Sequence, residues 1–179
     1  MQHPLYFIAL LPDLEIQQEV TAFKQECAVQ FNASHALKSP PHITLIPPFR
    51  WNPKEMEKLK LSLVDFAFDQ LSFSIYLNGF ASFPPRVLFV DVEQNETLVA
   101  LQSDLLKHLQ QQLHFKNKNA QRFHPHMTIA HRDLEEAVFP TAWAYFSKIK
   151  YERQFLAGDL VLLQHINRKW EILERFDFG

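Results

Sequence analysis

The residues with chemical reach in this chain come in two matching sets. Residues 40–49 read PPHITLIPPF and residues 122–134 read RFHPHMTIAHRDL, so Pro-His-x-Thr-apolar occurs twice, with His42 and His126 standing 84 positions apart. Imidazole titrates near neutrality, so one neutral ring can take a proton while a second, protonated ring gives one. Two such rings flanking a phosphodiester meet the needs of its cleavage without a metal. Thr44 and Thr128, each two residues past its histidine, can donate hydroxyl hydrogen bonds to non-bridging phosphate oxygens. Residues two apart on a strand face the same side, so each His-Thr pair shares a polar face. Ile43 with Leu45, and Met127 with Ile129, take the apolar one. A single copy would be explained as well by a hydrogen-bonded core histidine. The repetition is the signal.

The elements around the two motifs also repeat. The apolar run LYFIALLP (5–12) has the length of a buried strand. Residues 13–31 form a helix capped by Asp13, with Leu14, Val20, Phe23, Cys27 and Phe31 proposed for its buried face. After a loop and the strand HITLI comes a second helix over 52–70, with Asn52 as cap and Pro53 in its first turn. Alternation over 71–80 marks a strand with one wet face, and RVLFVDVE (86–93) marks another. Leu98, Leu101, Leu105 and Leu109 define a third helix over 95–113, ahead of the strand HMTIA. A fourth helix is expected over 133–149, interrupted or restarted near Pro140. Strands around 159–165 and 170–176 then follow, with HINRKW making the turn between them. The order strand, helix, histidine strand, helix, strand thus occurs twice. His42 to Ile75 and His126 to Asp159 are both 33 positions. The expected fold is α+β, a bilobal pseudo-two-fold duplication in one domain over 1–179. The first repeat covers about 1–82 and the second about 83–179, with lobes able to exchange strands.

Composition narrows the functions open to such a fold. Three glycines and no GxGxxG or GxxxxGK[ST] exclude a glycine-rich phosphate cradle. A net charge of −2 argues against grip on long duplex nucleic acid, which wants a basic surplus, and directs attention to an end or a short fragment. The lone Cys27 excludes an internal disulfide and fits a reducing compartment, where it serves as a packing residue. The first residues carry a short apolar run without a basic lead, which reads as a strand and not as a signal peptide or membrane span. A cytoplasmic protein is expected, with a monomer as its plausible state. His124, His126 and His131 raise the possibility of a metal. Pro125 separates the first two, and no cysteine or carboxylate completes a close set, so neither metal nor other cofactor is expected.

The two motifs, PPHITLIPPF and HPHMTIAHRDL, resemble the paired HxT signatures of the two-histidine (2H) phosphoesterases, which include 2′-5′ RNA ligase-like proteins and cyclic phosphodiesterases. The resemblance runs from LYFIALLP to the last strands. It implies antiparallel sheets lining a central cleft with helices outside. It also implies metal-independent chemistry on 2′,3′-cyclic phosphates or 2′-5′ linkages of RNA ends or small nucleotides, reversible as ligation. By position, His42 and His126 correspond to the catalytic pair and Thr44 and Thr128 to the phosphate holders. Members often carry a basic residue soon after the second motif. Here Ala130, His131 and Arg132 follow, and strand parity favours Arg132. Further candidates for the substrate are Phe83 and Arg86 at the strand opening the second half, and Lys38 ahead of the first motif. Each has a plainer reading, in the core for Phe83 and in solvent for the two cations. KNKN (116–119) is a basic loop that could rim the cleft, whereas His35, His108, His114 and His165 are expected to be surface or structural. The alternative to an enzyme is a module that binds RNA ends or a nucleotide in the same cleft without turnover.

Overall fold

The computed structural model describes residues 3–116 and 122–179; apart from Lys116, the KNKN loop therefore lies outside the described residues. Two four-stranded antiparallel sheets and four helices make an α+β fold. In chain order the elements are β1 (Leu5–Leu10), α1 (Leu14–Phe31), β2 (Ile43–Arg50), α2 (Met56–Phe68), β3 (Phe73–Phe83), β4 (Val87–Val92), α3 (Glu96–Leu113), β5 (His126–Ala130), α4 (Phe139–Phe146), β6 (Glu152–Ala157), β7 (Asp159–Ile166) and β8 (Lys169–Asp177). One sheet has the order β2-β1-β7-β8, the other β5-β4-β3-β6. The strand that follows α2, β3, pairs with β4, while β7 pairs with β1. Strands β3 and β7 thus each leave their own half to pair with the first strand of the other.

Each sheet turns one face to helices and the other to the space between sheets. On β1, Tyr6, Ile8 and Leu10 join the large helix-covered core, whereas Phe7, Ala9 and Leu11 form a second cluster with Val161 and Leu163. Burial of both faces is why β1 reads as an unbroken apolar run. Helix α1 lies over the second sheet, where Phe23 meets Phe80 and Tyr151 edge to face at 5.0 Å. The Arg153 guanidinium forks onto Glu19 there, and holds that carboxyl below its usual range. Helices α2 and α3 pack on each other, with α2 against β7 and β8 and α3 against β2.

The expected caps at Asp13 and Asn52 are present, and Asn95 supplies a further one for α3. The Asp13 carboxylate accepts from the Ile16 amide, Asn95 from Leu98, and Asn52 from Lys54 in a short 3-10 turn that leads α2. Three expectations need correction. Leu14 is 69% exposed, and the buried face of α1 is Ile16, Val20, Lys24, Cys27 and Phe31. Six residues at about 100° each carry Leu14 far from the Val20 stripe, whereas Ile16 falls on it. The fourth helix occupies Phe139–Phe146, because Pro140 suits a first turn and the residues before it form turns. Strand β6 was not expected. Only Phe155 and Ala157 of its six residues are buried, so its apolar signal is that of an edge. Among the described residues no helix is long and apolar enough to cross a membrane.

Candidate functional site

The edge strands β2 and β5 approach each other where the two sheets abut, and this brings the two motifs to one place. Beside them opens a cavity of about 490 Å³, lined by His42, Thr44 and Thr128 among others. Alternation is as expected: Ile43 and Leu45 are fully buried and Thr44 is not, while Met127 and Ile129 are buried and Thr128 is not. His126 stands two residues before Thr128 on the same face of β5, and is not itself among the cavity-lining residues. The positive charge of His126 bears on His42.

The same backbone device fixes both rings. His42 Nδ1 lies 2.7 Å from the Pro40 carbonyl oxygen, and His126 Nδ1 lies 2.6 Å from that of His124. A carbonyl oxygen only accepts, so each Nδ1 carries a proton and donates it. Nε2 is then the atom left to exchange a proton with a substrate. The proline inside each motif (Pro41, Pro125) separates histidine from acceptor and, with its fixed φ, helps to shape this short loop. An aromatic ring backs each imidazole from the neighbouring strand: Phe7 at 4.7 Å from His42 and Phe89 at 4.9 Å from His126.

Electrostatics separates the pair. Burial pushes the His42 pKa down to about 3, and the cationic neighbours Lys24, His126 and His131 act in the same direction. Burial also lowers His126. The backbone hydrogen bond opposes the shift at both rings, and at His126 the carboxylate of Asp91, its partner across β4 and β5, adds to that opposition while the charge of His124 acts against it. His42 is therefore the ring held neutral, with Nε2 open to a proton, and His126 is the easier of the two to hold protonated.

The other sequence candidates divide. Lys38 and Arg132 line the cavity. Strand parity does not separate Arg132 from His131, because β5 ends at Ala130, Arg132 turns to a left-handed φ of 60°, and both residues reach the wall. Phe83 packs on Phe89 at 4.5 Å and edge-on to His126 at 5.3 Å, and at 38% exposure it keeps a free face. Arg86 is not among the cavity-lining residues. It pairs with Glu136 at 3.2 Å in solvent.

Several contributors were not legible beforehand. His35, His165, Arg168 and Trp170 line the cavity, although the first two were expected at the surface or in a structural role. His165 and Trp170 are cross-strand partners in the β7–β8 hairpin, a pairing the HINRKW turn already implied. Lys24 is 2% exposed, and its ammonium donates to the carbonyls of Ala36 (3.0 Å) and Ser39 (2.8 Å). Burial lowers its pKa to about 7. Asp133 accepts from the amides of Ser34 (2.9 Å) and His35 (2.8 Å), stitching the loop before the first motif to the turn after the second. His131 Nδ1 is buried without a hydrogen-bond partner, and burial pushes that ring down to about 4. Cys27 is a packing residue whose thiol burial pushes up to about 12. Among the described residues no group of three or more histidines, cysteines or carboxylates is gathered tightly enough to hold a metal. His124 instead meets Phe83 edge-on, and His131 meets His35.

The comparisons agree on a family. A sequence model of the 2′-5′ RNA ligase superfamily matches residues 12–169. A Geobacillus thermodenitrificans protein named "Putative phosphoesterase" is 30% identical over 97% of this chain and 96% of its own length. Among solved structures, E. coli LigT complexed with 3′-AMP superposes with a TM-score of 0.73 at 18% identity, covering 100% of this chain and 99% of that one. TT0787 of Thermus thermophilus gives the same TM-score and identity, with 97% of each chain covered.

Proposed function

The chain belongs to the 2′-5′ RNA ligase superfamily of two-histidine phosphoesterases, and we propose that it cleaves a 2′,3′-cyclic phosphate or a 2′-5′ phosphodiester of RNA or nucleotides by general acid–base catalysis. The observation that carries this reading is the matched pair of histidines. Each donates Nδ1–H to the carbonyl two residues back, and each shares its strand face with a threonine at the cavity. The nucleotide bound in E. coli LigT supports a nucleotide as ligand.

In this mechanism neutral His42 takes a proton from water through Nε2 as the water oxygen attacks phosphorus. His126, protonated on both nitrogens, gives its Nε2 proton to the leaving 2′- or 3′-oxygen as that P–O bond breaks. The products are a phosphomonoester and a free hydroxyl, with the transferred proton now on His42. Thr44 and Thr128 donate to the non-bridging oxygens, where negative charge grows. With a ribose hydroxyl in place of water attacking the 2′,3′-cyclic phosphate, the same groups would join two ends, the ring P–O bond breaking as the new one forms.

The test is incubation with a nucleoside 2′,3′-cyclic phosphate in the presence of EDTA. Release of a nucleoside monophosphate, lost in His42→Asn and in His126→Asn, is the expected outcome. Saturable binding without product would instead identify a nucleotide-binding module.

A further inference from the structure

The cavity holds more positive charge than one reacting phosphate requires. Lys38, Arg132 and Arg168 line it, and no carboxylate does, in a chain whose net charge is −2. Among the described residues no hydrogen bond or ion pair engages these three side chains. Unpaired cations on a recessed wall focus anions into it. A cyclic mononucleotide brings a single negative charge, which the two motifs already receive through two imidazoles and two hydroxyls. The surplus calls for a second phosphate.

The aromatic residues show where it would lie. From His42 a row of rings runs outward along the first sheet: Phe7 at 4.7 Å, Trp170 a further 4.6 Å on, and His165 at 5.0 Å from Trp170. Trp170 is half-buried, held edge-on against Phe7, and still lines the cavity. Asn167 and Arg168 both take positive φ, 50° and 65°, which is the requirement of a two-residue hairpin turn matched to strand twist. The turn thus sets the Arg168 guanidinium two residues from Trp170. A π-face with an adjacent free cation is the arrangement that holds single-stranded nucleic acid.

We propose that Trp170, His165 and Arg168 at the end of the β7–β8 hairpin form a subsite for a second nucleotide, its base against Trp170 and its internucleotide phosphate on Arg168, so that the substrate is the end of an oligonucleotide. The inference deepens the phosphoesterase reading and rests on it.

Three substrates test it: a nucleoside 2′,3′-cyclic phosphate, the same compound with a 5′-phosphate, and a trinucleotide ending in that cyclic phosphate. One stacked base corresponds to about 5- to 150-fold in kcat/KM, so the trinucleotide is expected to exceed the mononucleotide by that factor. Trp170→Ala should erase most of the advantage and Trp170→Tyr restore it. Arg168→Asn, which suits the left-handed backbone, should reduce both the advantage and its salt dependence. Equal kcat/KM for trinucleotide and mononucleotide overturns the subsite. So does a 5′-phosphorylated mononucleotide that matches the trinucleotide, or a ratio unchanged in all three variants. Quenching of tryptophan fluorescence by a trinucleotide 3′-phosphate gives a readout independent of turnover. If no substrate is cleaved, the phosphoesterase reading fails by itself; quenching that disappears in Trp170→Tyr then upholds the subsite, and no quenching rejects it.

Discussion

His42 and His126 are built alike and housed differently. Both donate Nδ1–H to the carbonyl two residues back, and both lean on a phenylalanine of the neighbouring strand. His42 sits among cations at the head of a row that continues along the cavity wall to Trp170. His126 has Asp91 across the strand pair, and its companions Phe83, Phe89 and His124 pack together outside the cavity lining. The two motifs supply like imidazoles in unlike surroundings. A symmetric pair would compete for the same proton, whereas groups with separated pKa values take opposite roles.

The largest effects should come from removing either half of the pair. His42→Asn and His126→Asn are each expected to lower kcat on a 2′,3′-cyclic nucleotide by about 10²- to 10⁴-fold. The double variant should be little worse than the singles, because the two rings act as a unit. Additive losses in kcat would break the pairing. Next come the threonines: Thr44→Val and Thr128→Val should each cost about 10²-fold in kcat, by analogy with the loss of one oxyanion donor. A change confined to KM would show that they serve binding alone.

The pH profile sharpens the comparison. With a pKa of about 3, His42 is neutral and ready to accept a proton throughout the neutral range. His126, lowered from the ordinary histidine value, must be protonated to donate, so kcat/KM should fall as pH rises through its depressed pKa, with the descending limb below about 6.5. In the complex, an anionic phosphate beside both rings raises their pKa values, and the limb seen in kcat should lie at higher pH than that in kcat/KM. Stability responds to the same shifts. Depressed imidazoles bind more protons unfolded than folded, so stability should be lost as pH falls from about 6.5 toward the folded values of His42 and His131. His131→Gln should flatten that slope in thermal melts.

Smaller effects separate the site from its supports. Lys24→Met leaves the Ala36 and Ser39 carbonyls without their donor and should cost about 1–3 kcal/mol in denaturant unfolding. Arg86→Ala breaks only an exposed pair with Glu136. It should change stability by about 0.2–1 kcal/mol and leave turnover of a cyclic nucleotide unaltered. A large loss of activity there would mean that the cleft extends further over the second sheet.

Much of the frame was written locally. Asp13 and Asn95 cap α1 and α3, and the four leucines of α3 are its buried stripe. His-x-Thr alternation placed polar and apolar faces correctly on both motif strands. What escaped notice lacked a local signature. Lys24 on a helix looks like any solvated lysine until a loop twelve residues on closes over it. Asp133 looks like a turn residue, yet it holds two amides 98 and 99 positions away. Strand β6 hides because an edge strand buries only one residue in three here.

The sequence alone determined which residues stand as candidates for chemistry and, β6 apart, the order of the elements, since these follow from residue identity and from periods of 2 and 3.6 that neighbours impose. Tertiary structure decided how the two imidazoles differ, which cations stay unpaired, and that the cavity extends toward Trp170 rather than Phe83. Desolvation and Coulomb interactions depend on distances through space, and β3 and β7 set those distances by pairing in sheets that chain order does not reveal.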